Sequence, residues 1–338
     1  MLLYSFEAMK KKIALVTGGY SGEAVISYRS AQTIYNHLDK DRYDVYIIDV
    51  TPEGWFWKDE NGAKLRVDKN DFTVMIKEEK LSFDAVFMGL HGTPGEDGKL
   101  QGYFDMLNLP YTSCKAATSA LTFNKRYTTA VAAAAGIPVA KSVLFIKGQF
   151  TSPDEALRLS YPVFVKPNNG GSSIGMSKVD KPSEELGAAI EKAFKEDNEV
   201  LVEEMIQGRE FTVGVFKSEE KIRVLPITEI VAQNTFFDFE AKYSGKSIET
   251  TPAQISDEWK ENLEETAKKI YRVFNCRGVV RIDFIYDEGQ NAAFMLEINS
   301  IPGQSDASVI PQQVKAEGWN LTDFYTKLLE EALSESKQ

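Results

Sequence analysis

Apolar residues in the first third of the chain fall into short dense blocks, with a stretch of helical spacing between two of them. KKIALVTG (11–18), YDVYIIDV (43–50) and AVFMGLHG (85–92) read as strands, and VISYRSAQTIYNHL (25–38) as a helix. Strand, helix, strand in that order predicts a parallel sheet with right-handed crossovers. TPEGWFWKDENGAKL (51–65) reads as an inserted hairpin whose aromatics pack within the lobe.

The pattern then shifts. TFNKRYTTAVAAAAG (122–136) is helical and stops at Gly136, with Pro138 behind it. Strand AKSVLFI follows, then a helix start at TSPDEALRL, where Ser152, Pro153 and Glu155 suit an N-cap, N1 and N3. Strand PVFVKP runs into a Gly/Ser loop. Next come a helix with Leu186, Ala189, Ile190, Ala193 and Phe194 on one face, and strand EVLVEEMI. The remainder is mostly strands (EFTVGVF, KIRVLPITEI, GVVRIDFIYD, AAFMLEIN) with two helices, one of them the terminal NLTDFYTKLLEEAL. Three lobes are expected, at 1–120, 121–206 and 207–338.

Side-chain parity on two late strands brings chemistry into view. In GVVRIDFIYD (278–287), Val280, Ile282 and Phe284 share a face; in AAFMLEIN (292–299), Phe294, Leu296 and Ile298 do. Pairing those apolar faces about a turn centred on Gln290 sets Asp283 across from Glu297 and Arg281 across from Asn299. Opposed carboxylates repel. An all-oxygen Asp283/Glu297/Asn299 set is what Mg²⁺ or Mn²⁺ prefers, and Arg281 beside it suits an anion. A solvated polar face with an Arg–Glu pair fits the same pattern. Pro302-Gly303, which can aim a backbone N–H, and Ser305 and Ser308 after the second strand favour the metal reading.

The Gly/Ser loop GGSSIGMS (170–177) mimics a phosphate-binding P-loop, but Met176 stands where that motif has its lysine. Lys166, upstream on the strand, can instead reach a phosphate from beneath while Gly170, Gly171, Ser172 and Ser173 cover it. Glu203, Glu204, Met205 and Ile206 end a strand whose backbone suits an adenine edge, and Glu210 suits ribose hydroxyls. Taken singly, the loop fits a turn and the glutamates a surface.

Charge and composition narrow the class. The 338 residues carry a formal charge of −11 with no basic block, which argues against a nucleic-acid partner. No run of about 18 apolar residues is present to span a membrane. Two distant cysteines, Cys114 and Cys276, without a C-x-x-C pair, suit a reducing cytoplasm. Met9, followed by three lysines and a strand, reads as a start, with residues 1–8 a tail or the product of an upstream start codon.

The order of parts (lysine strand, Gly/Ser loop, adenine-type strand, then R-I-D and L-E-I-N strands) resembles the ATP-grasp fold. The chain as a whole, from about Lys12 to the terminal helix, resembles the D-alanine–D-alanine ligase family. The segments that carry the likeness are GGYSGEAVIS, LHGTPGEDGKLQG, the NK of TFNKRY, VFVKPNNGGSSIGMSKV, VEEMIQGREFTVGVF, FDFEAKYSG, GVVRIDF and LEINSIPGQSDASV. The resemblance implies an α/β protein with a three-lobed ATP-grasp fold. An N-terminal parallel-sheet domain on the substrate side precedes a central lobe with the Gly/Ser loop and a C-terminal lobe with the metal and second-substrate site.

The resemblance also implies roles. Lys125 and Lys166 would hold ATP phosphates, Glu203, Glu204 and Ile206 the adenine, Glu210 the ribose, and Lys242 the γ-phosphate. Asp283, Glu297 and Asn299 would bind two Mg²⁺ or Mn²⁺ ions; Arg281 and the Gly303 N–H would steady an oxyanion. Glu23 would receive the amino group of the first D-alanine, with His91 nearby, and Ser308 and Val309 would serve the second. Ser172 and Tyr243 would join Glu23 in a set that closes the loops.

The chain departs from the family's usual T-x-P-G-x-T-x-x-S-L at 300–309. Ser305 stands for Thr and Val309 for Leu, which keeps a hydroxyl and an apolar wall. Tyr243 favours an amine as second substrate, since lactate-using relatives lack that tyrosine. The implied partners are D-alanine, ATP and a second copy of the chain. Another ATP-grasp carboxylate–amine ligase, such as a D-alanine–D-serine enzyme, is the nearest alternative, and a non-catalytic nucleotide sensor a remoter one. A dinucleotide oxidoreductase lacks its G-x-G-x-x-G after the first strand.

Overall fold

The structure, a computed structural model, describes residues 9–59, 61–149, 153–170, 174–182, 184–232 and 247–335. Its strands form three sheets.

The first sheet has seven strands in the order β6-β5-β4-β3-β2-β1-β7. β1 (Lys11–Gly18) lies parallel to β2 (Tyr43–Thr51) and to β7 (Ala85–Met88). Its apolar run explains its interior place, between β2 and β7. Ile13 and Leu15 enter one core with Ala31 and Ile34 of α1 (Ala24–His37) and Leu328 of the terminal helix; Ala14 and Val16 enter another. A strand covered on both faces has no solvent side to alternate with.

The parallel part ends at β2. The aromatic insertion is indeed a hairpin, β3 (Gly54–Lys58) with β4 (Lys64–Asp68), but β3 also pairs antiparallel with β2. Two further strands, β5 (Thr73–Ile76) and β6 (Glu79–Leu81), extend the sheet where no strand was expected. Trp55 packs edge-on against Phe72 and Tyr103 with ring centres 6.0 and 5.2 Å apart, so it is core and not display.

The second sheet, β10-β9-β11-β8, comprises β8 (Ser142–Ile146), β9 (Val163–Pro167), β10 (Ser177–Val179) and β11 (Glu199–Glu204). Helix α5 (Glu184–Ala193) covers it, and the five residues assigned to its inner face are buried in one cluster with Val163, Val165, Val200 and Val202.

The third sheet joins β12 (Arg209–Ser218), β14 (Thr228–Ala232), β15 (Ser247–Thr250), β16 (Val280–Asp287) and β17 (Ala292–Asn299), with β13 (Lys221–Val224) against β12. The helix Asp257–Val273 seals it. Ser256 Oγ caps that helix by accepting from Trp259 N–H, and Trp259 stacks on Tyr286 at 4.4 Å.

Four expectations are corrected. Residues 122–136 are not one helix: α3 (Ala116–Phe123) ends and α4 (Lys125–Ala134) begins at Asn124, whose Oδ1 accepts from Tyr127 N–H. The segment Pro153–Arg158 is a 3-10 helix, and Ser152 lies outside the described residues. KIRVLPITEI breaks into β13 and β14. A third late helix, Val309–Ala316, begins directly after Ser308.

A further difference concerns register. Arg281 does pair with Asn299 and Asp283 with Glu297, but the ladder shifts between Asp283 and Phe284, so that Phe284 faces Met295. Leu296 is the extra residue of a β-bulge. The buried partners of the apolar face are therefore Ala293, Met295 and Ile298, whereas Phe294 and Leu296 are only half-buried and turned away from it.

Candidate active site

A cavity of about 390 Å³ opens where the first and third sheets meet. Its floor is the polar face of β16 and β17: Arg281, Asp283, Glu297 and Asn299 all line it. Glu23 stands at the N-cap of α1, Ile26 and Arg29 come from the helix itself, and His91 and Glu96 from the loop after β7. Lys125 and Gly170 approach from the side of the second sheet, Glu210 from β12, and Gly303, Ser308 and Val309 from the turn after β17.

The floor is held by charge. Asp283 accepts from Arg281 Nε at 2.9 Å and Nη2 at 2.8 Å, from Asn299 Nδ2 at 3.1 Å, and from Thr212 Oγ1 at 2.5 Å. Thr212 sits opposite Asp283 on β12, completing a three-strand row. The neighbouring carboxylates raise the Arg281 pKa against the opposing effect of its burial. With Glu297 beside the pair, the row carries one more negative charge than positive. Two carboxylates and an amide oxygen brought together at low exposure fit a hard divalent cation.

The α1 side is set by geometry at Gly92. A Cβ there would come within 2.5 Å of Glu23 Oε2 and of Ser21 Oγ, and φ is +69°. Only glycine lets the loop pass this close to the carboxylate. The Gly92 N–H then donates to Glu96 Oε2 at 2.8 Å. Glu96 keeps part of its surface toward the cavity, yet its carboxyl is closely surrounded by protein. Burial, with the Glu23 charge added, pushes its pKa up to about 8.

His91 is buried, not open to the cavity as a free base. Its Nδ1 lies 2.9 Å from Ile301 O and its Nε2 2.8 Å from Ser30 Oγ. Burial lowers its pKa to about 4, so the ring is neutral.

The nucleotide-side residues divide. Lys125 opens α4 and donates from Nζ to Gly170 O at 2.6 Å, tying down the start of the Gly/Ser loop. Lys166 and Glu203 form a buried ion pair of 2.6 Å on the face of the second sheet, outside the cavity. Glu204 Oε1 accepts from Ser160 N–H, and the N–H groups of Glu204 and Met205 are taken by Lys141 O and Pro162 O. Ile206 N–H is left without a backbone partner among the described residues. Ser172, Lys242 and Tyr243 lie outside the described residues.

Four residues at or around the cavity went unassigned in the sequence: Glu96, Thr212, Ser30 and Gln304. Glu96 stands inside the segment LHGTPGEDGKLQG, and Ser27 and Ser30 are small polar residues buried beside Ala31 and Ile34 on the inner face of α1, a pattern that signals hydrogen bonding to another element.

Comparison with known proteins agrees over nearly the whole chain. The family described as D-ala D-ala ligase N-terminus matches residues 12–114, and D-ala D-ala ligase C-terminus matches 131–330. This chain belongs to the D-ala D-ala ligase family. Within it, a D-alanine–D-alanine ligase of Flavobacterium johnsoniae is 47% identical over 325 residues, 96% of this chain and 100% of the relative. One from Phocaeicola vulgatus is 44% identical over 95% of this chain and 99% of the relative. Among solved structures, the VanG D-Ala:D-Ser ligase of Enterococcus faecalis superposes with a TM-score of 0.84 at 31% identity, over 96% of this chain and 100% of that one. The D-alanine–D-alanine ligase of Coxiella burnetii gives 0.86 at 27% identity, over 98% and 96%. The fold of this ligase is thus ATP-grasp, and the enzyme class an ATP-dependent carboxylate–amine ligase. Among the described residues no helix is long and apolar enough to cross a membrane.

Proposed function

We propose that the enzyme joins two D-alanines through a D-alanyl phosphate, with Glu23, Arg281 and the Gly303 N–H at the reacting centre. The observation that carries this is that Glu23, the Arg281 row and the Gly303 turn line one cavity. A carboxylate is a poor acyl donor. Attack of the first D-alanine carboxylate on the γ-phosphorus of ATP forms a new O–P bond and breaks the bond to ADP. The amine of the second D-alanine then attacks the acyl carbon, loses a proton, and phosphate leaves.

Glu23 holds the first ammonium group. Arg281 neutralises the transferring phosphoryl and, with Gly303 N–H, the tetrahedral oxyanion. Asp283, Glu297 and Asn299 would hold Mg²⁺ or Mn²⁺ ions, which neutralise phosphate charge when bound. Lys125 and Lys166 serve the phosphates, Glu203, Glu204 and Ile206 the adenine edge through their backbone, and Glu210 the ribose. By the family resemblance Lys242 serves the γ-phosphate, and Ser172 and Tyr243 belong with Glu23 to the set that closes the loops. Ser308 and Val309 contact the second substrate. Ser305 and Ser308 hydroxyls lie 2.8 Å apart, a pair that can turn toward a carboxylate. The enzyme acts in the cytoplasm as a homodimer in peptidoglycan precursor synthesis.

The test is ATP-dependent phosphate release with Mg²⁺, comparing D-alanine alone with D-alanine plus D-serine or D-lactate, products identified by mass. Phosphate with D-alanyl-D-alanine from D-alanine alone is expected. Release only when D-serine is added would transfer the reading to the activity named for the Enterococcus faecalis protein. Light scattering on a sizing column checks the dimer.

A further inference from the structure

The turn from Ile301 to Gln304 is fixed by side chains from the far end of the chain. Ser30, 274 residues from Gln304, accepts its backbone N–H at 3.1 Å. Ile301 O can only accept, so His91 Nδ1 carries the ring proton and donates to it at 2.9 Å. Nε2 is then the acceptor, and the Ser30 hydroxyl donates to it at 2.8 Å. Ser30 uses one donor and one acceptor, and the neutral ring uses both nitrogens. Ser27 completes the grip: its Oγ accepts from His91 N–H at 2.9 Å.

Both serines are fully buried on α1. A buried hydroxyl is costly unless it is bonded, and packing alone would be served by alanine. Ser30 takes the Gln304 N–H directly, and His91, which both serines hold, reaches the Ile301 carbonyl, so the contacts fall on the two sides of Gly303. Inside that bracket, Gln304 Nε2 donates to Pro302 O at 3.2 Å, and Tyr325 OH donates to Gln304 Oε1 at 3.3 Å. Gly303 N–H makes no hydrogen bond among the described residues, and Gly303 lines the cavity.

We infer that Ser30 is a positioning residue for ligation: with His91 it holds the Ile301–Gln304 turn so that Gly303 N–H meets the developing oxyanion. This rests on the reading of Gly303 as that donor. An oxyanion donor acts over a window of about 2.7–3.1 Å, and a misplacement of about 1 Å costs roughly 100-fold in rate. His91 accordingly acts through the turn and not as a base.

The experiment uses Ser30→Ala in the full-length enzyme, with thermal unfolding to verify folding. The expected result is a kcat lowered about 10- to 100-fold, with KM for ATP and for the first D-alanine within about twofold. Affinity for a dipeptide analogue with a tetrahedral phosphinate in place of the peptide carbonyl should fall by the same factor as kcat/KM. Ser30→Cys, of nearly the same shape but weak in hydrogen bonding, should lose both together and serves if the alanine variant does not fold. Analogue affinity unchanged in a folded Ser30 variant, or KM values rising in step with the loss, would overturn the inference. Gly303→Pro, which has no N–H, separates the two readings. If it binds the analogue normally, the oxyanion role fails and this inference with it. If it binds poorly while the Ser30 variants bind well, only the role of Ser30 is lost.

Discussion

Two polar clusters border the same cavity and are built on opposite principles. The hydrogen-bond partners of His91 are neutral, and each hydrogen-bonding atom of the ring and of Ser30 is committed. Around Asp283 the cluster is built on charge: Arg281 pairs with the carboxylate, the neutral Asn299 and Thr212 donate to it, and Glu297 stands beside it. A neutral, saturated cluster has nothing to exchange, so it fixes backbone shape. An ionic cluster can trade one partner for another of like charge at small cost, as a cation or phosphoryl site requires. The contrast also explains why His91 titrates so low: charging it would destroy an acceptor and bury a cation.

The comparison breaks first at Arg281. Arg281→Ala should lower ligation by about 1,000-fold or more while ATP binds within a few-fold. Steady-state kinetics and calorimetric titration measure both, and normal turnover would end its role in catalysis. Asp283→Asn comes next. It strips Arg281 of its anion and the row of a carboxylate ligand, so Mn²⁺ binding, followed by electron spin resonance, should weaken by about 10- to 100-fold. Unfolding stability should drop by up to about 3 kcal/mol. An unaltered Mn²⁺ affinity would remove Asp283 from the metal set.

Acid should act on the neutral cluster. His91 has a folded pKa near 4 against an ordinary 6.5, so the unfolded chain binds more protons between those values. The stability it contributes is present above pH 6.5 and is lost as pH falls toward 4. Unfolding midpoints should fall from pH 7 to 5, and His91→Gln should flatten that slope. Glu96, near 8 against 4.5, has the opposite sign: its contribution is full below pH 4.5 and is lost as pH rises through 8. Glu96→Gln should therefore gain on the parent between pH 7 and 9; a parallel pair of curves would show the carboxyl to be ionised already. Ser305→Ala should be the mildest change, within about threefold in KM for the second substrate, since one hydroxyl pair in a half-open site is lost.

Much of this was legible in the chain. The β1 run, the α5 face and the facing of Asp283 with Glu297 follow from local period, because a strand has only two faces and a helix one buried stripe. The bulge at Leu296 was not legible, since nothing in AAFMLEIN tells a two-residue period from one that skips once. The break at Asn124 was hidden by a helical pattern on both sides. The placing of Glu204 against Ser160 was invisible because its partner comes from another loop.

The sequence by itself determined the elements, the order of parts and the residue types that meet a nucleotide, a cation and an amino acid, because these depend on local spacing and on chemistry each residue carries alone. Tertiary structure decided which of those groups are charged and which are already spent. Glu96 is pushed up by burial with the Glu23 carboxylate beside it, His91 is held neutral by burial, and Asp283 is claimed by Arg281 and Thr212. Protonation and hydrogen-bond commitment depend on burial and on neighbours that only folding brings within 3 Å.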